Sequence, residues 1–126
     1  MDGAEREYEL GGEHDSAGRP QEALAHYERA LELGLPEALV PRLFVQMGST
    51  LRNLDRNDEA IALFDDAVAR YPDDVALRLF RAFCLATAAR DREALVDVLD
   101  LARTRIDAPE VDRYRRSLEN YTRDLA

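Results

Sequence analysis

Apolar side chains recur along this chain at spacings of three and four, and strand-like alternation of apolar and polar residues is absent. Glycine or proline falls between the periodic stretches, so the pattern predicts consecutive helices joined by short turns. Seven are expected: Ala4 to Ala17, Pro20 to Leu33, Glu37 to Leu54, Asn57 to Tyr71, Asp74 to Ala89, Arg92 to Thr104 and Ala108 to Leu125. Local chemistry sets their ends. Pro20 suits the opening of the second helix, and Asp58 and Glu59 put negative charge in the first turn of the fourth, where the helix dipole favours it. Tyr71-Pro72-Asp73-Asp74 stops one helix and offers Asp73 or Asp74 as the cap of the next. Pro41 would kink a continuous third helix, which predicts a short turn over Glu37 to Val40 before the helix proper.

The helices pair, and the pairs repeat. Glu22 to Gly34 reads EALAHYERALELG, and 37 residues later Glu59 to Tyr71 reads EAIALFDDAVARY. Aligned on Ala23, Ala60 and Ala94, three helix-turn-helix units stand 37 and then 34 residues apart. The first carries Gly11, Ala23, Tyr27 and Ala30 at its small, small, aromatic and small positions, and the second carries Gly48, Ala60, Phe64 and Ala67. The third departs from this pattern: Ala82 and Ala94 fit, but Val98 replaces the aromatic, Leu101 replaces the last alanine, and Arg81 stands where a leucine is usual.

A period near 34 in an all-helical chain resembles the tetratricopeptide repeat. The run QMGSTLRNLDRNDEAI is similar to a small, stand-alone bacterial variant of it. The resemblance implies an all-α fold, a right-handed α-α superhelix (solenoid) of three helix pairs over residues 4–36, 37–74 and 75–107, with a capping helix at 108–125, all in one domain over 1–126. Small residues would let the helices of a pair approach closely, and the aromatic would fill space against the next pair, so each unit presents an apolar face that a neighbour buries. In the final segment Val111, Tyr114, Leu118, Tyr121 and Leu125 share one stripe, expected to close the last repeat.

Length and charge narrow the function. A chain of 126 residues is one compact domain. The formal charge is −9, divided as −6 over residues 1–35, −4 over 36–74 and +1 over 75–126. A net-negative chain lacks the footprint that neutralises phosphates, so neither nucleic acid nor an anionic membrane is an expected partner. No apolar run is long enough for a membrane span and the opening MDGAEREYELGG is acidic, unlike a secretory leader, which predicts a cytoplasmic protein. The single cysteine, Cys84, sits in the apolar run LFRAFCLA and is expected to be a buried thiol.

Catalytic constellations do not assemble. His14 and Asp15 lie near Ser49 in the repeat alignment, but neighbours on a helix point about 100° apart, so Asp15 does not orient the His14 ring. His14 is read as a packing residue and His26 as outward-facing and solvated, with Cys84 in another repeat, so no metal cluster forms. Gly11-Gly12 lies mid-helix with no preceding strand and no Lys-Ser or Lys-Thr after it, unlike a phosphate loop. No enzyme, cofactor or metal is expected, and no catalytic residue. In tetratricopeptide proteins the first helix of each pair lines a concave groove that binds partners. The resemblance therefore implies a non-enzymatic scaffold binding a protein or peptide segment through Tyr8 and Asp15, then Gln46, Ser49, Arg52 and Asn53, then Leu79, Phe80 and Phe83. The alternative is a homodimer formed by the apolar third repeat, whose first helix, VALRLFRAFCLATAA, is hydrophobic nearly all round.

Overall fold

The computed structural model describes residues 2–126, which form eight α-helices and no strand. They are α1 (Gly3–Ser16), α2 (Pro20–Leu33), α3 (Val40–Asn53), α4 (Asn57–Arg70), α5 (Val75–Thr87), α6 (Asp91–Arg105), α7 (Pro109–Arg113) and α8 (Arg115–Leu125). A 3-10 turn at Glu37–Leu39 precedes α3, with Pro41 seated in the first turn of that helix, where its missing N–H leaves no bond unmade. Asp2 caps α1 by accepting from the Glu5 N–H at 2.7 Å, and of the two candidate caps of α5 it is Asp74 that accepts, from Leu77 N–H at 3.0 Å.

Pairs α1/α2, α3/α4 and α5/α6 stack in chain order: α3 lies on α1 and α2, and α5 lies on α3 and α4. The result is a solenoid of helix pairs. Within each pair the turn is the same motif. Gly18, Asp55 and Ala89 all take positive φ, at +75°, +58° and +59°, and the next N–H, of Arg19, Arg56 or Arg90, reaches back to the carbonyl of His14, Leu51 or Leu85. This is the 6→1 bond of a left-handed helix stop. Only the first copy has the glycine such a turn favours, which hid the motif in the other two.

The small positions work as close approaches inside a pair. A Cβ at Gly11 would lie 2.4 Å from the Tyr27 ring, and one at Gly48 would lie 2.3 Å from the Phe64 ring. Both rings are fully buried. The aromatic thus packs on the glycine of its own pair, a contact additional to the one expected with the next pair. The third unit has Ala82 and Val98 at these two positions, and there the pair borders an open depression. Arg81, the irregular residue of the third unit, keeps the register by leaving the core. Its guanidinium bridges Asp65 of α4 at 2.7 Å and Asp97 of α6 at 2.8 Å.

The C-terminal segment is two helices, broken at Tyr114, where one was expected. The Arg115 guanidinium donates to the Arg103 carbonyl at the end of α6, and α8 runs back along α6 until Ala126 stands beside Arg92 and Val96. Its packed face is Val111, Leu118, Thr122 and Leu125, with the Thr122 hydroxyl bonded to the Leu118 carbonyl at 2.6 Å. Of the expected stripe Val111, Leu118 and Leu125 pack, whereas Tyr114 and Tyr121 are exposed and Thr122 is buried in their stead. Among the described residues no helix is long and apolar enough to cross a membrane.

Candidate functional site

One face of α3 carries Gln46, Ser49 and Asn53 at i, i+3 and i+7, a column about 10.5 Å long at 1.5 Å per residue. Two adjoining depressions flank it. The first, of about 240 Å³, is lined by Tyr8, Pro41, Arg42, Val45, Gln46, Asp74 and Ala76. The second, of about 400 Å³, is lined by Asp15, Ser16, Val45, Gln46, Ser49, Thr50, Asn53 and Phe80. Val45 and Gln46 belong to both, so the two form one trough across the first helices of all three units. The Oε1 of Gln46 is shielded from solvent and accepts no hydrogen bond within the protein. Burial pushes the Tyr8 phenol above its ordinary value, against a smaller opposing pull from the Arg42 charge, so the hydroxyl stays a donor at neutral pH.

Two of the nine expected groove residues are already engaged. Asp15 accepts from the Tyr27 hydroxyl at 2.5 Å, and both its oxygens lie 3.1 Å from the Thr50 hydroxyl, which ties α1, α2 and α3 together. Burial, then this bond to Asp15, holds the Tyr27 proton far above the usual range. Arg52 donates to the Thr87 hydroxyl at 2.8 Å. Leu79 and Phe83 line a separate depression of about 390 Å³ with Ala82, Ala94, Leu95 and Val98, at the end of the stack. Tyr8, Gln46, Ser49, Asn53 and Phe80 therefore remain together in the trough.

The histidines are closer than expected. His26 is half-buried, stacks on His14 with ring centroids 5.0 Å apart, and its Nδ1 lies 2.5 Å from Glu7 Oε2. Arg19 Nε donates to His14 Nδ1 at 2.8 Å. The hydrogen bond from His26 holds the Glu7 carboxyl below its ordinary value, with Arg29 contributing. These contacts close the first pair on its outer side. No group of three or more metal-ligating side chains converges among the described residues.

The sequence profile of the tetratrico peptide repeat family matches residues 4–125, the same span as the stacked pairs and their closing helices. The chain belongs to that family. No curated protein and no solved structure matches it. Membership points to protein partners, and it accounts for the glycine and aromatic pairs as repeat packing. In a tetratrico peptide repeat the first helices are the ones left facing the hollow of the stack. That is where the trough of this chain lies.

Proposed function

We propose that this protein is a non-enzymatic interaction module that holds an extended peptide segment in the trough along α3. The observation that carries this reading is the Gln46 amide oxygen, shielded and without a partner, in the wall shared by both depressions. A buried acceptor left unpaired costs about 1–3 kcal/mol, and turning the Gln46 amide out to the trough surface to meet a backbone N–H of a bound segment would recover it. The polar column matches roughly three residues of extended chain at about 3.3 Å each. At one end Phe80 accepts an apolar side chain. At the other, Arg42 lines the depression with the Tyr8 phenol and Asp74, and its guanidinium is suited to a polar or acidic group of the segment.

A peptide-display selection on the full chain tests this, with the selected peptides measured against the parent and against Gln46→Ala combined with Asn53→Ala. The double variant should lose about tenfold or more in affinity, while its thermal melt stays close to the parent's. Peptides that bind both proteins equally would sink the trough as the binding site.

A further inference from the structure

The flank of each pair that receives the next pair's first helix is covered twice and then left open. Ile61 and Phe64 of α4 are 5% and 0% exposed beneath α5, whereas Leu95 and Val98, 34 residues on, are 48% and 38% exposed. Phe83 beside them is 59% exposed. α8 does not cover this flank. It lies along the other side of α6, where it half-buries Val96 and Leu99 at positions whose second-unit counterparts, Ala62 and Asp65, face solvent.

We propose that this open seat on α5 and α6 is a dimer interface, occupied by the same seat of a second copy of the chain about a two-fold axis. A further repeat helix does not suit it. α5 is fastened in its own seat by Asn57 donating to the Cys84 carbonyl, by Arg81 on Asp65 and by Arg52 on Thr87. The residues 34 positions after Asn57, Asp65 and Arg52 are Asp91, Leu99 and Ala86, none of which reproduces the bond. The centre of the seat is apolar, and an apolar surface matches itself.

The other end of the stack is a poor match for the seat. The exposed residues of α1 and its cap include Asp2, Arg6, Glu9 and Glu13, a polar rim beside which Leu33 of α2 is the large apolar side chain left exposed, too little to fill an apolar seat. Like ends meeting give a closed, isologous pair. Charge points the same way: residues 75–126 carry nine acids against ten arginines, residues 1–74 seventeen against seven. End-to-end association thus joins near-neutral units and keeps the strongly acidic ones apart. Leu79, Phe83, Leu95 and Val98 together expose roughly 350 Å² of apolar surface, a patch of the size that is often functional on a monomer. With its polar rim such a core fits the roughly 800 Å² per partner of a standard interface.

Sedimentation equilibrium on the full chain tests this independently of the trough, because Leu95 lies outside it. The parent should be a dimer at micromolar concentration, and Leu95→Glu should weaken association about a hundredfold or more with unchanged helicity. Leu95→Ser, gentler on folding, should weaken it at least about tenfold. Gln46→Ala with Asn53→Ala should leave the dimer intact. A parent that is monomeric up to about 1 mM, or Leu95 variants that dimerise as tightly as the parent, would overturn the proposal. Loss of peptide binding in the double variant bears only on the trough.

Discussion

Gly12 and Gly48 are both helical, and their surroundings give them opposite roles. A Cβ at Gly48 would come 2.3 Å from the buried Phe64 ring, about 1.2 Å short of the roughly 3.5 Å at which carbon atoms attract. A Cβ at Gly12 would meet nothing within 4 Å. Gly48→Ala gains about 1 kcal/mol of helix propensity but overpacks a site that has no free volume, at a cost in the upper part of about 1–3 kcal/mol. It should therefore lower the melting temperature, and Gly12→Ala should raise it by the propensity gain alone. Equal shifts in the two variants would mean that the Phe64 ring moves freely. The third unit lacks this contact, with Ala82 and Val98 at the two positions and Val98 partly exposed.

At the scale of elements, helix-period spacing and punctuation made the first six helices and the turn before α3 legible from residues such as Pro20, Pro41 and Asp74. The break at Tyr114 had no such mark. It arises from tertiary geometry, because Arg115 anchors to the end of α6 and α8 must then run back along it. A stripe at spacings of three and four fixes a packed face only while the helix is continuous, so Tyr114 and Tyr121 left the packed face while Val111, Leu118 and Leu125 kept to it and Thr122 joined them. Leu118→Asp should accordingly destabilise the fold by about 2 kcal/mol or more by placing a charge against α6, whereas Tyr121→Ser should stay within about 0.5 kcal/mol of the parent. Denaturant midpoints of the two variants check this, and the reverse ranking would restore the tyrosine stripe as the packed face.

Over the whole molecule, the trough was legible as a face of the first helices, since repeat register alone assigns positions to it. Which side chains in it remain unspent was not. Asp15 and Arg52 look like ligand contacts in sequence, yet bonds from residues 35 positions away in the chain, Thr50 and Thr87, engage them. Those bonds and the glycine-aromatic contacts are unevenly distributed along the stack. The first two units have a locked ring and a carboxylate knot between them, while the third has Val98, no counterpart of that knot, and an exposed flank. In a solenoid each unit is held by its own packing and by its neighbours; Asn57, Asp65 and Arg52 fasten α5 to the second unit, but the third has no buried ring in its own pair and an uncovered flank, so it opens first. Amide hydrogen exchange should show α5 and α6 less protected than α3 and α4 in dilute solution. Raising the protein concentration through the association range should then increase protection in α5 and α6 by mass action, with no change in α1 and α2. Uniform protection across the three pairs at all concentrations would mean that the stack opens as one cooperative body, and that its exposed end contributes nothing to the stability of the unit that bears it.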